Sequence, residues 1–259
     1  MRAGGFTFRH LLDANFNHFP SGIYVGGHLT FYEVQLNQRY TEVPHGMTRQ
    51  YIPNTKVNPD PERFRRRSLV AWNLIAQHYR RTGLPPESKY PEETWEWTIP
   101  REFFIHIVGR ASYLLELAVA AEGKAPILMP SLVDAAAWME IAQALESRAS
   151  TPAIKKNLGI AYMKMVRSTE IGENDQLPTV AHFFSPNKMN YSLALDYLED
   201  RWWQDKRHKT WKIWASNNWQ TSWSQFLAME GAIHDKSYEQ VKIMYNQVMK
   251  SATSLKKGS

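Results

Sequence analysis

Residues 60–83 read DPERFRRRSLVAWNLIAQHYRRTG. Asp60 can cap a helix, Pro61 suits its first position, and Gly83 closes it. Between them Leu69, Trp72, Ile75 and Tyr79 recur at helical spacing, so one side of the helix faces a core. The same punctuation recurs downstream. It predicts a second helix from about Arg101 to Ala121, ended by Gly123. A third is expected from Leu132 to Ser147 behind Pro130 and Ser131. Thr151 and Pro152 open a fourth that reaches about Arg167. Asn190 opens a fifth, and at least two more fill the C-terminal third, the last from about Ser237 to Ala252. The chain therefore reads as mainly α, with helices that divide, if at all, into two lobes near 123–130 or 170–189.

The first sixty residues differ from this helical core at 61–252. They are rich in Gly, Asn, His and Pro, and Gly26-Gly27 stands between two β-prone runs, IYV and HLTFYEVQL, as a hairpin signal. From Tyr40 to Asp60 no period is visible, which predicts an extended arm or long loop. Residues 253–259, TSLKKGS, form a frayed basic tail.

Composition narrows the function. The 259 residues are 43% hydrophobic and 22% charged, the balance of a folded domain with a substantial core. The net charge of +6 favours polyanionic partners, either nucleic acid or an acidic membrane surface. With no cysteine, disulfides, thiolate catalysis, Cys-ligated zinc and iron–sulfur clusters are excluded. The N-terminus lacks an apolar signal region, and the apolar segment at 103–121 is interrupted by His106, Arg110 and Glu116, so a cytoplasmic location is expected, or a virion if the protein is viral.

Two clusters carry the charge. Arg63, Arg65, Arg66 and Arg67 crowd the start of the 61–82 helix, where the helix dipole disfavours cations. A bound phosphate would explain them, since backbone donors and guanidinium groups would point at it together. Pairing with Glu87, Glu92, Glu93 or Glu96 would explain them without a ligand. The second cluster is RWWQDKRHKTWKIWASNNWQTSW at 201–223, six tryptophans among five Lys or Arg residues. Tyr191, Leu195, Leu198 and Trp202 form one apolar stripe. Trp211, Ala215, Trp219, Trp223 and Phe226 form another, and such stripes normally face a core. Trp203 and Trp214 lie off both stripes beside Lys206, Arg207, Lys209 and Lys212, where stacking on bases is an alternative to burial. Lys155 and Lys156 add a basic strip on the fourth helix.

No catalytic signature stands beside these clusters. The nine histidines show no metal-ligand spacing, and GxxxxGK[ST], GxGxxG and GxSxG are absent, so neither a cofactor nor a metal is expected. Ser185 and Lys188 match SxxK without its companion motifs, and His106 reads as a core histidine. The favoured expectation is a structural protein that coats single-stranded RNA or DNA without sequence preference, a nucleocapsid or coat subunit. It would associate with itself through its N-terminal arm. A matrix-like membrane-surface scaffold is the first alternative. An enzyme whose site is assembled from distant residues such as His106, Glu116 and His182 is the second.

Overall fold

The computed structural model describes residues 7–19, 22–26, 36–82, 89–122, 129–145, 151–167 and 211–257. Within them the fold is mainly α with a small antiparallel sheet. The order is α1 (Phe8–Asn15), β1 (Ile23–Gly26), α2 (Leu36–Arg39), β2 (Tyr40–His45), β3 (Thr48–Pro53), α3 (Pro61–Thr82), α4 (Trp95–Ala120), α5 (Met129–Leu145), α6 (Pro152–Arg167), α7 (Trp211–Ala228) and α8 (Tyr238–Lys257). Short 3-10 turns follow β3 at Asn54–Lys56 and precede α8 at Glu230–His234.

The sheet departs from the expected N-terminal organisation. β3 is the central strand, with β1 and β2 on its two sides. Ile23 stands opposite Tyr51, so β1 pairs with β3; the hairpin expected at Gly26-Gly27 falls on a run that is largely outside the described residues. The last member of that run, Leu36, begins α2. The stretch from Tyr40, expected to be an arm, is instead the β2–β3 hairpin, with His45 opposite Thr48. Its turn depends on Gly46 at φ 59°, a conformation that only glycine adopts without strain. Pro44 is tolerated because β2 is an edge strand. The hairpin has a small core of its own, in which Leu12, Phe16, Leu36, Tyr40 and Tyr51 are buried together.

The main core is helical, and α5 runs through its middle. Every residue from Ser131 to Met139 is buried, so α5 is enclosed on all sides. Ala135, Ala136 and Ala137 keep it slim, while Trp138 fills the space against Trp72 of α3, with ring centroids 5.0 Å apart. α4 buries Phe103, Ile107, Ala111, Leu114 and Ala118, one stripe at helical spacing. It starts six residues before the expected Arg101 because Thr94 caps it, accepting a bond from the Trp97 N–H. The Pro100 ring sits inside the second turn and forfeits one helical hydrogen bond. By length and composition α4 could cross a membrane, with half of its apolar window buried.

α3 has the expected limits, and Asp60 Oδ1 accepts from the Glu62 and Arg63 N–H groups. α6 lies along α7, where the expected stripe of Ala215, Trp219, Trp223 and Phe226 is buried. Trp219 and Trp223 meet edge to face at 5.6 Å. The Trp223 indole lies directly over Gly159, whose missing side chain leaves room for the ring. α8 continues to Lys257, through most of the expected tail. The helix expected at Asn190, with Tyr191, Leu195, Leu198 and Trp202, lies outside the described residues.

Candidate nucleic-acid interface

The arginine cluster at the start of α3 separates into three environments. Glu62, the acid of the first turn, takes a bidentate contact from Arg65, at 2.6 Å from Nε and 2.7 Å from Nη2. It also accepts from Arg66 Nε at 2.7 Å. Burial alone would push the Glu62 carboxyl up, yet the two guanidinium groups hold it below the ordinary carboxylate range. The unfavourable dipole is therefore answered inside the helix, by a carboxylate three and four residues from the cations it pairs with.

Arg65 corrects the expectation. It is 6% exposed and turned toward α5, where Asp134 adds to the pull of Glu62 and keeps its guanidinium charged. It cannot reach a polymer outside. Next to it lies a second buried cation. Arg110 of α4 and Asp134 of α5 are both fully buried and joined at 2.6 Å. Arg110 Nε also donates to Ser68 Oγ at 3.0 Å, and that hydroxyl donates to the Arg65 carbonyl. The Trp138 ring covers the Arg110 guanidinium at 4.3 Å. Burial lowers the Arg110 pKa, and Asp134 opposes that shift. This network clamps α3, α4 and α5 together and belongs to the core.

Arg66 is 77% exposed and tied to Glu62. Arg63 and Arg67 are also exposed, and both border a cleft of about 100 Å³ between the start of α3 and the β2–β3 hairpin. One water needs roughly 10–15 Å³ in the same measure, so the cleft has room for an oxyanion. Lys56 and His45 join the two arginines on its walls, and Phe64, Gln50, Ser68 and Tyr113 line it further. Among the described residues, no carboxylate lines it. Arg67 Nη2 donates to the Tyr24 hydroxyl of β1 at 3.1 Å, which fixes the guanidinium beside the sheet. Burial, reinforced by the Arg67 charge, pulls the His45 pKa below its ordinary value. Burial, aided by Glu116, pushes the Tyr113 phenol up. The arrangement offers fixed positive charge with polar donors and, among the described residues, no carboxylate on its walls, which suits a phosphate or similar anion.

The remaining expected contacts lie apart from this cleft. Lys155 is half-buried, and its pKa is lowered by burial against the pull of Glu140. Lys156 is tied to Asp235 at 2.6 Å, linking α6 to the turn before α8, so this strip is packed and paired. Lys212 and Trp214 stand in the first turn of α7, but their side chains, with Trp203, Lys206, Arg207 and Lys209, lie outside the described residues. His106 is buried in α4, with Glu102 3.6 Å from its Nε2. Neither it nor the exposed Glu116 lines the cleft. Among the described residues, no group of three or more His, Asp or Glu side chains is placed to hold a metal ion.

Lys56 and His45 were not legible as site residues. Each is isolated in sequence, and only the hairpin brings them to α3. Comparisons with protein-family models, curated proteins and solved structures found no match.

Proposed function

We propose that the protein is a structural nucleic-acid-binding protein that coats single-stranded RNA or DNA without reading its sequence. The observation that supports this most is the cleft walled by Lys56, Arg63 and Arg67, with no carboxylate among the described residues of its lining. Three cations around one opening neutralise successive phosphates and release their counterions, a contribution indifferent to base identity. The net charge of +6 draws the polymer in from a distance. Arg66, held by Glu62, does not line the cleft and is not a direct clamp. The basic, tryptophan-rich segment at 201–214 extends the same reading as a stacking surface.

Fluorescence titration with mixed-sequence single-stranded RNA at several salt concentrations tests the proposal. Each phosphate contact contributes roughly 0.7 to the slope of log affinity against log salt on single strands. The Arg63→Ala/Arg67→Ala variant should weaken binding and flatten that slope by about 1.4. An unchanged slope in the folded variant would remove the cleft from the account. Anionic vesicles titrated in parallel address the scaffold alternative, which predicts vesicle binding in preference to RNA. A coat also needs contacts between neighbouring copies, and electron microscopy of the RNA-bound protein would read these as filaments or shells.

A further inference from the structure

The cleft contains one group whose charge is not fixed. His45 ends β2, and its carbonyl accepts from Thr48 Oγ1 at 2.8 Å across the hairpin turn, so its backbone is held. Its ring lies against Tyr24 with centroids 5.0 Å apart, and Tyr24 in turn takes the Arg67 hydrogen bond. His45 and Arg67 both line the cleft, and Tyr24 behind them touches both. Among the described residues, no side chain hydrogen-bonds the His45 ring nitrogens.

Resting on the reading above, we propose that His45 is a protonation-gated ligand of the phosphodiester held in the cleft, so that binding takes up a proton and tightens as pH falls. The groups packed around His45 explain the coupling. From α3 it faces Arg67 and Arg63, from the turn after β3 Lys56, from α4 Tyr113, and from β1 Tyr24. Glu116 of α4 acts on the Tyr113 phenol but does not line the cleft, and the carboxylates of β2 and of the first turn of α3 are already engaged. Glu42 of β2 accepts from the Tyr51 hydroxyl and pairs with Arg49, while Glu62 holds Arg65 and Arg66. Before an anion binds, burial and the Arg67 charge disfavour an imidazolium. A phosphate among the cations of the cleft supplies the one negative charge the site lacks, and the imidazolium then becomes an additional donor to it. Linkage requires the converse: whatever protonates His45 must tighten the phosphate.

The measurement is the Kd of mixed-sequence single-stranded RNA from about pH 7.5 to about pH 5.5 at constant ionic strength, a range in which phosphodiesters do not titrate. One coupled proton tightens binding by at most about tenfold per pH unit. The wild-type Kd should therefore fall by at least about fivefold across the range. His45→Gln, checked for folding by circular dichroism, should change by less than about twofold. Matching wild-type and His45→Gln profiles would overturn the inference while leaving the cleft as an RNA site. RNA binding absent at every pH would overturn the underlying reading as well. Sulfate, which keeps its charge over this range, separates polymer from free oxyanion. Proton-coupled sulfate binding without RNA binding would keep the His45 role and reject the coat reading. Should His45→Gln not fold, calorimetry of the wild type with RNA in two buffers of different ionisation enthalpy decides: proton uptake supports the inference and its absence overturns it.

Discussion

Replacing Asp134 with alanine would leave the Arg110 guanidinium fully buried without the carboxylate that meets it at 2.6 Å. What remains is the Ser68 hydroxyl at 3.0 Å and the face of Trp138. These contribute on the order of 1 kcal/mol each. Removing one partner of a buried ion pair usually costs about 3–5 kcal/mol, because an uncompensated charge stays in the interior. Arg65 lies close enough for its charge to disfavour that of Arg110, so nothing nearby takes over the role of Asp134, and the expected loss is about 4 kcal/mol. That is a large part of a typical domain stability of roughly 5–15 kcal/mol. Urea unfolding followed by circular dichroism would show it. With a slope of about 2–3 kcal/mol per molar urea, the midpoint should drop by roughly 1.3–2 M at unchanged slope. Arg110→Met/Asp134→Leu removes both charges and roughly keeps the volume, so it should cost less than about 1.5 kcal/mol. A single variant within about 1 kcal/mol of wild type, or a double variant as unstable as the single, would refute the reasoning.

Other outcomes follow from the same contacts. Gly159→Ala would place a Cβ 2.0 Å from Trp223 Cδ1, forcing the indole out of its seat and off the Lys156 carbonyl it reaches at 3.3 Å. A loss at the upper end of the roughly 1–3 kcal/mol typical of overpacking is expected in thermal unfolding, with partial recovery in Gly159→Ala/Trp223→Leu. Arg65→Ala should lower stability and leave the RNA affinity of the folded fraction within about twofold, whereas Arg63→Ala/Arg67→Ala should do the reverse; chemical unfolding and RNA titration of both variants check this. Burial alone would raise the Asp235 carboxyl, but Lys156 and the Ser237 N–H bring it below its ordinary value. Its contribution is therefore present above the unfolded carboxylate pKa of about 3.9 and is lost as pH falls through the folded value. Asp235→Asn should lower stability at neutral pH by about 0.5–1 kcal/mol and flatten the acid limb of a Tm-against-pH curve.

Much of the helical fold was readable because its ends carry strong local chemistry. Asp60 and Pro61 fix the start of α3, Thr151 and Pro152 that of α6, and the tryptophan stripe of α7 marks its buried face. The hairpin was not readable, since Pro44 and Pro53 break its β pattern and Gly46-Met47 is a weak turn signal. α4 was read too short because Pro100 resembles a boundary until the Thr94 cap is seen. The site divided along the same line. An arginine run in sequence does not reveal which members turn inward: residues 63 to 67 span more than a full helical turn, so Arg65 faces α5 while Arg63 and Arg67 face the sheet side. Arg110 read only as an interruption of an apolar segment, and tertiary packing alone joins it to Asp134.

Ultraviolet crosslinking of the protein to single-stranded RNA, followed by mass-spectrometric mapping of the modified peptides, tests the central claim most directly. Crosslinks are expected in the peptides that wall the cleft, carrying His45, Lys56 and Phe64. These should be lost in Arg63→Ala/Arg67→Ala and compete away at high salt. Crosslinks confined to other parts of the chain, unaffected by that variant, would contradict the claim.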